Sequence, residues 1–476
     1  MIASTERICE ELLGDLSGVE RALRAALRRG ASFAEVFVED RAATSAVLDD
    51  GRVEDVSTGW DRGAGIRVVK GESTGFAHTT DLSPDGLVAA AEAAAEAVRS
   101  DGGGGERVVS LRAAIGRGGR PVEPPWEIPK RKKVELLAAA DRAAREKHPA
   151  VFQVSAHYAD SRRRILVANT EGLLASDEQV RTLFAVSCVA RGDGGMQTGR
   201  ESVGRTGGFE LFAEVDVARL ALRAAERAVS KLHARPAPAG SMPVVIAAGG
   251  GGVLFHEACG HGLEADLVEK GASVFRDKRG EMVASELVTL VDDGTMAGEW
   301  GCVGVDDEGH PTVRNILIRN GVLTDYMSDW TRARRQGRPS SSGNGRRQSF
   351  RHLPMVRMTN TFLLPGPHDP AEIVASTEKG VYVKHLGGGQ VNTATGDFVF
   401  GMTEAYLIEN GEITTPIRDG NLIGNGPEVL RNIDAVGNDF AMGPPGTCGK
   451  DGQGVPVGDG MPTVRVVALT IGGTAA

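Results

Sequence analysis

The sequence predicts an α+β protein of two domains, an N-terminal α/β domain over residues 1–235 and a β-rich C-terminal domain over residues 236–476. Three observations carry that expectation. Helical spacing of apolar residues and strand-like alternation are interleaved through the first half. The second half is dominated by alternating runs joined at Asn-Gly turns. Between them stands His233-Ala-Arg-Pro-Ala-Pro-Ala-Gly240, where proline and small residues resist both helix and central strand and read as a linker. A chain of 476 residues also exceeds what one hydrophobic core ordinarily serves.

Taken in order, the chain opens with a helix to about Arg29, with Leu12, Leu13, Leu23 and Leu27 at helical spacing and Gly30 as its stop. Strand-like runs follow from Ala34 to Leu48 and from Arg52 onward, joined by Asp50-Gly51, a two-residue hairpin turn signature. Ser83-Pro84 supplies an N-cap and a first-turn proline for an alanine-rich helix through Arg99, ended by Gly102 to Gly105. Asp101 to Pro129 is rich in glycine and proline and reads as an exposed connection. A helix is expected over Lys130–Lys147, then strands near Val151–Tyr158, Ile165–Asn169 and Thr182–Arg191, then a helix over Val215–Leu232. The order strand, strand, helix thus stands on both sides of the connection, although no residue-level identity establishes a duplication. In the second half, Asn320-Gly321 and Asn410-Gly411 signal hairpins, and Thr463–Ile471 closes the chain as a strand.

Bulk composition excludes several function classes. With 54 basic against 63 acidic residues, the formal net charge is −9, opposite to a nucleic-acid-binding surface. The basic runs Lys130–Lys133 and Arg332–Arg335 read as helix-terminal or solvated charge. No apolar run reaches the ~18 residues of a membrane helix, and the N-terminus lacks a basic-then-apolar signal pattern. A cytoplasmic location is therefore expected. Five cysteines scattered over the length do not form a disulfide framework.

Chemistry is concentrated after the strand Val244–Ala248, which runs through Gly249–Gly252 into V-L-F-H-E-A-C-G-H-G-L-E-A-D. His256 and Glu257 are adjacent, and His261 lies five residues beyond His256. On a regular helix turning ~100° per residue, that spacing leaves the two imidazoles about 140° apart, too far to share one metal. A single π-type turn absorbs the extra residue and restores a common face. A bulge between Cys259 and His261, eased by Gly260 and Gly262, is therefore predicted. The alternative is that both histidines serve as core or cap residues. A candidate third ligand is Cys448, in the glycine-rich stretch G-T-C-G-K-D-G-Q-G-V-P-V-G-D-G read as a loop. One thiolate with two imidazoles suits zinc and leaves a fourth position for water, with Glu257 placed to take its proton. Cys259 competes for the ligand role, and Cys448 taken alone reads more readily as a small buried residue. Glu264 and Asp266 are candidate acceptors for the distal N–H of a ligating imidazole. Cys9, Cys188 and Cys302 read as packing residues, and His310, His352, His368 and His385 as surface or turn residues.

These residues resemble the TldD branch of the TldD/PmbA (TldE) metalloproteases, once nicknamed modulators of DNA gyrase. The likeness rests on H-E-A-C-G-H-G-L-E-A-D, on Ser340–Thr361, His385–Phe400 and Leu422–Asp434, and on the stretch around Cys448. It extends into the first half at G-A-S-F-A-E-V-F-V-E-D and D-R-G-A-G-I-R-V-V-K-G-E-S-T-G-F-A. The resemblance implies a Zn2+ site on His256, His261 and Cys448 with Glu257 as general base. It implies a dimer, either of identical chains or with a TldE/PmbA-like paralogue lacking the metal motif, and unfolded or short peptides bound extended as substrates. Gly387, Gly388 and Gly389 are candidates for close approach of such a peptide to a sheet edge, or form a simple turn. The competing reading is a zinc-stabilised, non-catalytic peptide-binding or assembly subunit. Glu257 argues against it, since a structural site needs no carboxylate beside its first ligand.

Overall fold

A computed structural model describes residues 5–98, 111–113, 121–193 and 195–473. The opening helical stretch is two helices, α1 (Thr5–Leu13) and α2 (Ser17–Leu27), broken at Gly14, whose φ of +80° ends a helix turn at little steric cost. β1 (Phe33–Asp49) and β2 (Arg52–Lys70) form a long antiparallel hairpin. Its turn residues Asp50 (φ 46°) and Gly51 (φ 77°) take the left-handed values that an Asp-Gly hairpin requires. β3 (Ser73–Thr79) follows, then α3 (Pro84–Glu96), where the Ser83 side chain accepts the Gly86 N–H at 3.1 Å as the N-cap. The expected stop at Gly102–Gly105 lies outside the described residues. α4 spans Lys130–Lys147 as its sequence predicts.

Two expected strand boundaries were misplaced. Val151–Tyr158 and Ile165–Asn169 belong to one strand, β4 (Val151–Asn169), and Thr182–Arg191 is the second half of β5 (Leu173–Gly192). The interruption in the apolar pattern is Arg162-Arg163-Arg164, and each guanidinium meets a carboxylate: Arg162 meets Glu178, Arg163 meets Glu39 and Asp307, and Arg164 meets Asp40. β6 (Gly195–Thr206) pairs with β5, and the sheet runs β3-β2-β1-β4-β5 with β6 joined at β5. α5 (Val217–Leu232) is capped by Asp216, which accepts from the Ala218 N–H at 2.9 Å. The repeated strand-strand-helix order is thus accommodated within one sheet.

Alternation assigns the sheet two faces. Val36, Val38, Ala46 and Leu48 face the helices. Phe37, Ile165 and Val167 face the other way, where they pack with Val305 and Phe350 from the second half of the chain.

The expected linker His233–Gly240 is not a free connection. Arg235–Pro236 pairs in parallel with Ile417–Arg418, and the Ala237 N–H bonds the Arg418 carbonyl at 2.8 Å. Edge pairing tolerates proline because one side of the strand needs no donor. Beyond it, β7 (Gly240–Ile246), β8 (Lys379–Val391), β9 (Asp397–Glu409), β10 (Asn421–Asn425) and β13 (Val464–Gly472) pair in a ring, β7-β8-β9-β10-β13-β7. A further sheet includes the hairpin of β11 (Gly446–Lys450) and β12 (Gln453–Met461), and β12 pairs in parallel with Asn360–Leu363. Asn320-Gly321 and Asn410-Gly411 hold the expected left-handed turn values, with φ 46° and 83°, and 53° and 77°. Among the described residues, no helix is long and apolar enough to cross a membrane.

β7 feeds the glycine run. A Cβ on Gly250 would sit 1.8 Å from the Lys384 carbonyl oxygen of β8, so the chain turns against that strand with no room for a side chain. Gly250→Ala is expected to lower stability by ~1–3 kcal/mol through overpacking, read as a fall in the urea midpoint; an unchanged midpoint would contradict this packing.

Candidate active site

After the glycines, α6 (Gly252–Phe255) passes into a π turn over His256–Gly260 and a 3-10 turn over His261–Leu263. The π turn begins at the first histidine and is wider than the bulge predicted at Cys259–His261. It has the predicted effect of bringing an i, i+5 pair to one side. The His256 and His261 rings stand 5.2 Å apart between centroids at 88°. Gly260 allows the turn to lie against Met358, whose sulfur would be 2.2 Å from an added Cβ.

Cys448 completes the group. Its Sγ is 3.3 Å from His261 Nε2, and ligand atoms of His256, His261 and Cys448 all lie within 4.8 Å of one another. All three residues are buried. Among the described residues, this is the one cluster of three His, Cys or carboxylate side chains close enough to share an ion. The sequence places Cys448 in a loop; the structure places it in β11, opposite Val455 of β12. The glycines and the Asp451-Gly452 turn (φ 48° and 75°) make a tight hairpin rather than a mobile segment. Glu257, with its side chain 25% exposed, is the open member of the site, and its Oε2 is 3.8 Å from His261 Nε2.

The surroundings fix the orientation of His261. Its Nδ1 lies 3.0 Å from Glu264 Oε2, leaving Nε2 directed to Cys448. Lys450 Nζ donates to Glu264 at 2.9 Å, to Asp266 at 2.8 Å and to the Val356 carbonyl at 3.0 Å. Of the two acidic candidates, Glu264 therefore meets the imidazole while Asp266 holds the lysine. Burial opposes charge on Glu264, yet His261 and Lys450 hold its carboxyl down to about 2. Burial likewise opposes a thiolate at Cys448, but the facing His256 and His261 bring it down to about 4, the ionisation that a metal ligand needs. Arg357, fully buried, donates to the Cys448 carbonyl and, at 3.2 Å, to the Gln453 carbonyl, clamping both strands of the hairpin. Sequence reasoning missed Lys450 and Arg357. Lys450 had a signal: two residues after Cys448 on a strand, it shares the face of the thiol.

A metal fits this group. Both ring nitrogens of His256 are buried without a hydrogen-bond partner, an arrangement costing ~1–3 kcal/mol unless a ligand satisfies it. The donor set of two imidazoles and a low-pKa thiol matches zinc chemistry. Cys259, by contrast, sits within the apolar core, and burial alone pushes its thiol up. All five cysteines are free.

Gly387, Gly388 and Gly389 lie on β8 where its pairing with β9 is irregular. Added Cβ atoms would strike Thr403 at 2.7 Å from Gly387 and Phe400 at 2.1 Å from Gly389, whereas Gly388 meets nothing within 4 Å. Two of the three glycines thus serve packing within the sheet. Gly387 also borders a cavity of about 540 Å³ shared with Arg200, Arg227 and His385. His385, read from the sequence as a surface or turn residue, is held there half-buried, and burial followed by Arg227 pushes its pKa down to about 4.

The π turn, the buried donor set and the adjacent carboxylate define the class as a metal-binding hydrolase. Residues 34–98, 123–232 and 239–473 match the family models described as PmbA/TldA metallopeptidase domain 1, central domain and C-terminal domain. The chain is 40% identical over 457 residues to a metalloprotease TldD homolog of Haemophilus influenzae, covering 94% of each chain. It is 28% identical to a zinc metalloprotease TldD homolog of Saccharolobus solfataricus, over 93% of this chain and 97% of that one. In fold it matches the crystal structure of TldE from Thermococcus kodakarensis, with a TM-score of 0.76, 21% identity and coverage of 95% and 99%. This chain belongs to the PmbA/TldD family and is a metallopeptidase.

Replacing Glu264 tests how His261 is held. Glu264→Gln is expected to weaken metal affinity ~10–100-fold, measured by competition with a chelating indicator. Wild-type affinity would show that the imidazole is oriented by something else.

Proposed function

We propose that the chain is a zinc-dependent peptidase that hydrolyses unfolded or short extended peptides, with His256, His261 and Cys448 as metal ligands and Glu257 as general base. The observation that carries this reading is the π turn, which sets two histidines and a low-pKa cysteine together with a carboxylate at their open side. When bound, zinc would supply a Lewis acid that polarises a peptide carbonyl and lowers the pKa of water toward ~7.

The protein's own residues account for the remaining steps. Glu257, the partly exposed carboxylate, takes the proton of the attacking water and returns it to the departing amine. The Glu264–His261 contact fixes which imidazole nitrogen faces the site, so the ligand is oriented before substrate arrives. A peptide lying extended has an edge to join. β7 pairs only with Val381–Val383 of β8, so past Leu386, through Gly387, Gly388 and Gly389, that side of β8 has no strand neighbour among the described residues. Strand addition there would use backbone hydrogen bonds and so tolerate varied side chains, as unfolded substrates demand.

The division into residues 1–235 and 236–476 belongs to this reading, supported by two groups of strands that share no member. A reducing, cytoplasmic setting suits five free cysteines. The active form is proposed as a dimer, of this chain or with a TldE-like paralogue, a partner of the same fold. A purely structural zinc role is disfavoured, because such a site closes with a fourth protein ligand.

Glu257→Gln is expected to keep the metal while turnover of an unstructured peptide falls ~10²–10⁴-fold. Metal analysis alongside a cleavage assay decides it, and near-wild-type cleavage would remove Glu257 from the mechanism.

A further inference from the structure

A second cavity, of about 370 Å³, lies between the N-terminal sheet and the β11–β12 hairpin. Its floor follows from register. Ala43 and Ser45 of β1 face Gly59 and Ser57 of β2 and Ser161 and Ala159 of β4. Directly opposed residues share a face, so five small side chains and one glycine clear one patch of the sheet. Its roof includes Thr447 and Pro456, which are paired across the hairpin. Thr447 alternates with Cys448 and Lys450 and so points away from the thiol's side, and none of His256, Glu257, His261 and Cys448 lines the cavity. It is a separate place from the active site.

The walls are cationic. Arg181 and Arg346 both line the cavity and are 5% and 3% exposed, yet neither meets a carboxylate within hydrogen-bond reach. Arg181 donates to the carbonyls of Trp300 at 3.0 Å and Cys302 at 3.1 Å and to the Gln179 amide oxygen at 3.0 Å. Arg346 donates to the carbonyls of Met358 at 2.5 Å and Pro456 at 2.8 Å. Of the two acids on the wall, Asp160 is engaged by Lys133, and Asp307 by the lining Arg163. Two further lining arginines already meet carboxylates, Arg163 with Glu39 and Asp307 and Arg347 with Glu35, so the uncompensated charge belongs to Arg181 and Arg346. Burial, and then the charge of neighbouring arginines, depress Arg181 to about 9. Two buried guanidinium groups whose own acceptors are all neutral are a fitting counterpart to an oxyanion, which guanidinium binds through charge-assisted, often bidentate, hydrogen bonds.

We infer that this cavity, floored by small residues of β1, β2 and β4 and walled by Arg181 and Arg346, is an anion-binding site for a ligand bearing carboxylate or phosphate oxygens. Two sources share that chemistry, the acidic end of a peptide and a free phosphate. The inference is independent of the peptidase assignment, because it concerns the far face of the hairpin.

Calorimetric titration of the full chain with N-acetylglutamate, its diamide and inorganic phosphate tests it. Saturable one-to-one binding of N-acetylglutamate or phosphate, with none of the neutral diamide, is expected. The tighter of the two anions identifies the source. Binding is expected to persist after chelator treatment, which separates this site from the metal. Arg181→Gln should weaken it about tenfold or more. Ser57→Glu should also weaken it, without disturbing the core, because Ser57 is exposed at the floor's edge. Absence of saturable anion binding, loss of binding on chelation, or unchanged affinity in both variants would overturn the proposal.

Discussion

One inserted residue governs the proposed catalytic centre. His256 and His261 stand five apart, and an undistorted helix would turn one of them away from the other. The π turn over His256–Gly260 removes that divergence, and the remaining features of the site follow from it. Cys448 has two imidazoles to face instead of one, Glu264 falls beside His261, and Glu257 is left at the open side. The distortion is sustained from outside the helix. Gly250 against Lys384 seats the entry to the helix, and Met358 packs against Gly260 at the end of the turn. Such π turns are often found at functional sites because local hydrogen bonding is given up for side-chain geometry.

Charge connects that centre to the rest of the molecule. Glu264 and Asp266 lie just after the π turn, and Lys450 lies just after Cys448, so one buried ammonium ties the helix to the hairpin. A larger set of buried ion pairs joins the sheet to the second half of the chain: Glu35 with Arg67 and Arg347, Arg67 with Glu308, and Arg163 with Glu39 and Asp307. Buried pairs of this kind contribute little net stability, but breaking one leaves an uncompensated charge. They are best understood as fixing the segments around Asp307 and Arg347 against the sheet.

Much of this was legible in the sequence, for identifiable reasons. Asp50-Gly51, Asn320-Gly321 and Asn410-Gly411 announced hairpins because few other residues accept left-handed backbone. Ser83-Pro84 announced a helix start through a cap that the structure contains. The five-residue histidine spacing required a bulge, since regular geometry offers no other way to join the rings. What failed was reading that relied on local pattern alone. Arg162-Arg163-Arg164 interrupted an apolar alternation, but their partners are distant in sequence. The glycines around Cys448 suggested a loop because a two-residue turn and its flanking strand share the same composition. His385 gave no local sign of burial, and the cationic cavity beneath β11 could not be read at all, since it exists only where two halves of the chain meet.

X-ray absorption at the zinc edge of the metal-loaded protein reads the ligand set itself. Joint ligation by His256, His261 and Cys448 gives a shell with one sulfur at ~2.3 Å and two imidazole nitrogens at ~2.0–2.1 Å, the sulfur disappearing in Cys448→Ala and persisting in Cys259→Ala. A shell with two sulfurs, or with a single imidazole, would contradict the joint ligation that the π turn is held to create.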